Sequence, residues 1–415
     1  MGTKLTGRIL FRHILLFVLT FMSSAFTGIF FVGHTSEIPE GVMLFSSDGF
    51  PYLLDMVIGQ GVLFASLLLG FLGIHEFGHY FAARRHHIDT SLPYFIPLPI
   101  SPIGTIGAVI RIKSRIQHSI HMFDVGASGP IAGFIAALAI LIYGFATLPD
   151  PDYIQNFAGH EPIKEYIAEH GTFPDEPIPG GHQESGVENH SGSNEVSNEE
   201  SEQMEMEVMV LGNTLLFSFV ASFFENVPPM WELYHYPFLF AGWLGLFFTA
   251  LNLLPVGQLD GGHILYTLIG YRKHRLVARS FFIAVLILAG LGAIPLIQTM
   301  ISGYALSQSI TPWIIWTLVS LFLLDRAFRQ ELRWILPGWV IIITADLLLL
   351  WVFEPSLFSG FTIWIFWSLF IAFLVGIEHP PVIYEASLTP RRKILGWICM
   401  IIFFLCISPN PIYFI

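Results

Sequence analysis

A succession of long apolar runs constrains this chain more than any other feature. The runs fall at residues 9–31, 56–81, 123–148, 238–254, 281–297, 306–324, 334–353, 361–377 and 394–407. A helix needs roughly 20 predominantly apolar residues to cross the hydrocarbon core of a bilayer. Within lipid, a lone segment can satisfy its own backbone amides and carbonyls only as a helix. Composition agrees, since 54% of the 415 residues are hydrophobic and only 12% are charged, against about 25% charged in soluble domains. The expectation is an all-α polytopic membrane protein: a helix bundle of about nine spans with the lipid bilayer as its surroundings. The first run follows Lys4, Arg8 and Arg12 and has the length of a full span, so it is read as an anchor rather than a cleaved signal.

Basic clusters set the orientation, because Lys and Arg collect on the cytoplasmic side. Arg84 and Arg85 follow the second run. Arg272, Lys273 and Arg275 follow the fourth, Arg326, Arg329 and Arg333 the sixth, and Arg391, Arg392 and Lys393 the eighth. If nine segments cross, all these clusters share one side with the N-terminus. A further apolar run at 208–222 would reverse every later cluster if it crossed, so it is expected to lie on the surface, re-enter or pack without crossing. The expected location is the cell membrane, with the N-terminus and active site towards the cytoplasm.

The formal net charge of -12 is concentrated in residues 149–207, a polar stretch in which Lys164 is the only Lys or Arg. Such composition buries too little apolar surface to offset ordering entropy, so a flexible, acidic extramembrane insert is expected. The absence of a basic face excludes a nucleic-acid partner. Cys399 and Cys406, inside an apolar run, lie roughly 10 Å apart along one helix. That is too far for a disulfide within it. Residues 93–118 differ from the spans. Pro93, Pro97, Pro99 and Pro102 make a poor helix, and residues 105–113 alternate partially, as a strand does. This strand-like segment is expected at the membrane edge of a wet cavity. The domain organisation that follows is a first span and loop (1–55), a first core part (56–148), the insert (149–207), a second core part (208–270) and accessory C-terminal spans (271–415).

The chemistry begins where the second run ends, at His75-Glu76-Phe77-Gly78-His79. Histidines at i and i+4 share a helix face, and neutral imidazoles suit Zn2+. Glu76 can reach a water on the metal, whose pKa falls towards about 7, and take its proton. Ionisable groups at membrane depth are costly and usually functional. A catalytic zinc has three protein ligands and an open position. Asp260 follows the fourth run at the same cytoplasmic depth as the histidines, after Pro255 and Gly257 and before Gly261 and Gly262, which let the backbone bend. His263 and Asp346 are rivals for the third position; their alternative readings are a helix-start residue facing water and a carboxyl partnered by Ser, Thr or Trp inside the bundle. His379, before Pro380 and Pro381, is read as steadying a turn in a cytoplasmic loop, and His86 and His87 as solvated.

The pairing of His75-Glu76-Phe77-Gly78-His79 with Leu259-Asp260-Gly261 resembles the site-2 proteases. Leu251-Asn252-Leu253-Leu254-Pro255 and the small-residue series Gly126, Gly129 and Gly133 are similar to that family as well. The resemblance covers residues 56–269. Residues 378–381 and 388–392 further resemble prokaryotic and plastid-type members. The resemblance implies an intramembrane zinc metalloprotease that cleaves a single-span membrane protein in regulated intramembrane proteolysis. It implies that His75, His79 and Asp260 bind the zinc and that Glu76 is the catalytic base. It makes Asn252 a candidate for contacting substrate or steadying the site, beside the alternative of a helix-end amide bonded to backbone. The glycines look like a close-packing face between helices. No inserted binding domain typical of the family is evident, unless the acidic insert serves instead. Substrate must unwind locally, and residues 105–113 could pair with it by β-addition. The alternative is a membrane transporter or metal-ion carrier using the His/Asp cluster. A carrier does not need Glu between two histidines, and no paired broken helices are visible in corresponding halves.

Overall fold

The computed structural model of the chain describes residues 7–39, 41–113, 116–178, 208–302 and 310–414. Within the described residues the apolar runs are helical. In chain order the helices are α1 Gly7–Val32, α2 Phe50–Met56, α3 Val62–Arg85, α4 Ser119–Ala146, α5 Glu161–His170, α6 Leu215–Ala221 and α7 Pro237–Asn252. They continue with α8 Asp260–Ile269, α9 Tyr271–Ile301, α10 Thr311–Phe328, α11 Leu332–Val352, α12 Ile363–Phe370 and α13 Pro390–Cys406. A π turn at Val57–Gly61 joins α2 and α3 into one helical rod, Phe50–Arg85. Among the described residues, 7 helical segments are long and apolar enough to cross a membrane. Helix α7 is shorter, with 16 residues, and α13 has 17. The chain is a multi-pass helical membrane protein.

Helix α4 is the pivot of the bundle. It packs along α3 and α7 and touches α8 and α13. Its Gly126, Gly129 and Gly133 are buried; Gly129 and Gly133 face α3 and Gly126 faces α8, so these helices approach α4 closely, as small residues permit between helices in lipid. Gly78 of α3 belongs to the same contact, since a Cβ there would stand 2.6 Å from the Ser128 carbonyl oxygen.

Two short antiparallel pairs accompany the helices. Strand β1 (Tyr94–Pro97) pairs with β2 (Thr105–Val109) in the register Tyr94↔Val109, Phe95↔Ala108, Ile96↔Gly107, Pro97↔Thr105. A bridge between Thr90 and Ile112 extends the hairpin, so the strand-like character expected over 105–113 is present in most of that segment. Strand β1 lies against α1, where the Pro93 carbonyl accepts from His13 Nδ1 at 3.0 Å. Among the described residues β2 has a strand on one side only. Strand β3 (Met209–Leu211) pairs with β4 (Ile412–Phe414). Residues 208–222 therefore form β3 and the 7-residue helix α6. At 1.5 Å per residue that helix is about 10 Å long, a third of the hydrocarbon thickness.

Residues 151–178 differ from the flexible insert expected from composition. A 3-10 turn at Pro151–Asn156 leads to α5, and Ile154, Phe157, Ile163 and Ile167 form a small buried cluster. Averaging over 149–207 hides these apolar residues among the acidic ones. The remainder of that expectation, residues 179–207, lies outside the described residues.

The C-terminal half returns to the core. Arg279, fully buried on α9, donates to both oxygens of Glu331 at 3.0 Å and also to Glu378. The Arg279 hydrogen bond, with Arg333 and Arg275 alongside, holds the Glu331 carboxyl down to about 2. This network ties α9 to the turn before α11 and to the loop before α13. Helix α13 packs on α7 and α8, and Arg392 at its start grips both oxygens of Asp124 on α4 at 2.7 and 2.8 Å.

Candidate metal centre

Residues 75–79 continue α3 as it packs on α4, so the histidines, one turn apart, both meet the glycine series. His79 Nδ1 lies 2.7 Å from the Val125 carbonyl oxygen. A carbonyl only accepts, so Nδ1 carries the proton and Nε2 is left with its lone pair. His75 Nε2 faces it at 3.1 Å. The two residues are 3% and 6% exposed.

Asp260 opens α8 and points its carboxylate at the pair: Oδ2 stands 3.2 Å from His79 Nε2 and 3.5 Å from His75 Nε2. The turn that places it relies on glycine. Gly257 has φ +54°, and a Cβ there would stand 2.0 Å from the Gly376 carbonyl oxygen. Gly261 lies directly against the Leu253 carbonyl oxygen, again 2.0 Å from where a Cβ would be. The end of α7 and the start of α8 thus fold tightly back on each other.

Glu76 is 8% exposed and shares the site, with one donor atom each of His75, Glu76 and His79 lying within 4.8 Å of one another. Strand β2 packs on α3, which brings the hairpin to the helix that carries Glu76. Asn252, the last residue of α7, sets Nδ2 3.5 Å from His75 Nε2.

These residues fit a zinc ion. Two ligands at about 2.0–2.1 Å from a tetrahedral zinc stand roughly 3.3 Å apart, and the three convergent donors here are separated by 3.1, 3.2 and 3.5 Å. The Val125 hydrogen bond fixes the His79 tautomer as outer partners of ligating histidines do. The glycine series proves to be part of this arrangement. A Cβ at Gly129 would stand 2.0 Å from His79 Nε2, and one at Gly133 would stand 2.9 Å from His75 Nδ1. The sequence identified these glycines as helix packing; it did not identify them as the floor under the imidazoles.

The rivals for the third position go elsewhere. His263, on α8, has Nδ1 2.7 Å from His379 Nε2, while His379 Nδ1 donates to the Pro380 carbonyl at 2.6 Å. Burial first, and the His379 ring second, push His263 down to about 4, and burial lowers His379 too. His379 therefore does more than steady its own turn, because it holds the loop before α13 against α8. Asp346, fully buried on α11, accepts from Trp316 Nε1 at 2.8 Å, which is the partnered alternative weighed for it. His87 is exposed. His86, expected in water, instead pairs with Asp124 at 2.8 Å and stacks on His121. The Asp124 carboxylate sits between His86 and Arg392, a juxtaposition of residues 38 and 268 positions away in sequence from Asp124.

The sequence matches peptidase family M50 over residues 63–293, a stretch of more than half the chain that contains every residue of this centre. Among curated proteins it is similar to "Probable zinc metalloprotease EGY2, chloroplastic" of Oryza sativa subsp. indica, at 26% identity over 52% of this chain and 30% of that one. It is also similar to "Probable zinc metalloprotease EGY1, chloroplastic" of Arabidopsis thaliana, at 24% identity over 67% of this chain and 42% of that one. The chain thus spans between 30% and 42% of the length of these relatives. No solved structure matches it.

Proposed function

The chain belongs to peptidase family M50, and on that premise we propose that it is an intramembrane zinc endopeptidase that hydrolyses a peptide bond within or near the span of a single-span membrane protein. The observation that carries this reading is the convergence of His75, His79 and Asp260 around one point beside Glu76. Their place between α3, α4 and α8 puts that point inside a helix bundle.

His75, His79 and Asp260 would hold the zinc. Zinc bound there supplies a Lewis acid that polarises a scissile carbonyl and acidifies water. Glu76 takes the proton from the attacking water and later gives it to the leaving amine, the general-base and general-acid roles of one carboxylate. The Asn252 amide, 3.5 Å from His75 Nε2, is placed to donate a hydrogen bond to the oxygen that gains charge. Helical substrate hides its peptide bonds, so it must unwind before attack. The open edge of β2 offers an unwound segment the backbone pairing of β-addition, and that strand packs on α3, the helix that carries Glu76.

The basic clusters support the orientation given above, with this centre near the cytoplasmic face of a cell membrane and release of a cytoplasmic fragment as the outcome of regulated proteolysis. Asn252→Ala is expected to keep its zinc and lose about 100-fold in turnover, the scale of a lost oxyanion donor. Unchanged turnover would remove Asn252 from the reacting set.

The reading is tested in proteoliposomes that contain a single-span reporter and a zinc-sensitive dye in the lumen. Cleavage of the reporter without zinc entry is expected. Zinc entry without cleavage would replace the protease with a carrier.

A further inference from the structure

A second buried cluster lies at the other end of the bundle. It gathers His160, just before α5, with Glu232 and His235, which lie at a 3-10 turn (Leu233–His235) just before α7. Asn252, at the first centre, ends the same α7, so the 16-residue helix separates the clusters by about 24 Å. His160, Glu232 and His235 are 7%, 0% and 7% exposed.

The hydrogen bonds around these rings assign their tautomers. His235 Nδ1 lies 2.7 Å from the Phe31 carbonyl oxygen and His160 Nδ1 lies 2.9 Å from the Ala158 carbonyl oxygen. Both Nδ1 atoms therefore donate, and in neutral rings both Nε2 atoms carry lone pairs. Those two atoms face each other at 3.1 Å, and each stands 3.6 Å from Glu232 Oε2. A cation at the point these three atoms share would be met by two imidazole lone pairs and a carboxylate oxygen. The arrangement repeats the first centre: two imidazole Nε2 atoms 3.1 Å apart, at least one ring fixed by an Nδ1–H bond to a backbone carbonyl, and one carboxylate oxygen opposite both.

We propose that His160, Glu232 and His235 form a second, structural zinc site. Two imidazoles and a carboxylate are a zinc donor set, and backbone-bonded Nδ1 atoms are the outer partners such ligands use. The site joins three parts of the chain. Phe31 belongs to the end of α1, His160 to the folded part of the insert, and Glu232 and His235 to the entry of α7. The metal therefore clamps residues 151–170 onto the bundle, away from the proteolytic centre.

The test is the zinc content of the purified, untagged full chain after dialysis, measured by elemental analysis. The wild type is expected to hold about two zinc ions per chain. His75→Ala/His79→Ala should hold about one, His160→Ala/His235→Ala about one, and the fourfold variant none. A wild type with one zinc that disappears in His75→Ala/His79→Ala overturns the proposal and leaves a shared proton as the cation between the rings. So does a His160→Ala/His235→Ala chain that keeps both ions. If that variant cannot be recovered folded, the His75→Ala/His79→Ala chain decides alone, since one retained zinc supports the second site and none refutes it. Because this zinc is read in a chain without the first centre, the result is independent of whether the chain is a protease.

Discussion

Glu76→Gln is expected to leave the zinc content unchanged and to reduce cleavage of a single-span reporter by about 1,000-fold, within the range for loss of a general base. The substitution keeps shape and hydrogen-bonding capacity but removes the basic oxygen. Glu76 is 8% exposed and close enough to the histidines to share their site, whereas the opposed oxygen on the two Nε2 atoms belongs to Asp260. The two carboxylates therefore separate cleanly in experiment. Asp260→Asn should lower zinc affinity and activity together, while Glu76→Gln should lower activity alone. Zinc content by elemental analysis and product by mass spectrometry on the same sample distinguish these outcomes. A Glu76→Gln chain that loses its zinc would make Glu76 a ligand rather than a base.

Gly129→Ala is expected to weaken zinc binding by about 100-fold, the upper end of the effects seen when the groups that orient a ligand are disturbed. The added methyl would stand 2.0, 2.3 and 2.4 Å from Nε2, Cε1 and Cδ2 of His79. The ring cannot turn aside freely, because Nδ1 is tied to Val125 on the same helix as the new methyl. Either α4 moves away from α3 or the imidazole leaves its position, and both take Nε2 out of alignment with His75 and Asp260. A loss of helix stability does not account for this result, since Ala is the better helix former by about 1 kcal/mol. Chelator competition reads the affinity and thermal unfolding reads the fold; the expected signature is weakened zinc in a chain that still unfolds cooperatively. Wild-type affinity in Gly129→Ala would mean that the helices are not in contact at this point.

The parts of this molecule that could be read from sequence are those governed by local periodicity. His75 and His79 declare a common helix face by their spacing alone, and the apolar runs declare their helices by length. Asp260 could be brought to the same depth only through the topology of the spans. The arguments that sequence missed concern contacts between distant segments. Gly129 looks like any small residue in a packed helix until the crossing of α3 and α4 places it under an imidazole. His160 sits in an acidic stretch, 75 residues from His235, and no spacing rule joins them. Tyr153, Ile154, Phe157, Ile163 and Ile167 are too few to change the composition of residues 149–207, yet they suffice to close a small core around α5. The C-terminal spans carried no motif linked to chemistry, and their role emerges from pairings such as Arg392 with Asp124 and His379 with His263.

The most direct test of intramembrane zinc proteolysis is to map the bond cut in a single-span substrate co-reconstituted with the wild-type chain, before and after zinc removal. Mass spectrometry of the products should place the cut within or at the edge of the substrate's apolar segment. Cleavage should stop when a chelator strips the metal and resume when zinc alone is returned. A cut in the extramembrane part of the substrate, or cleavage that persists in metal-free protein, would contradict the account.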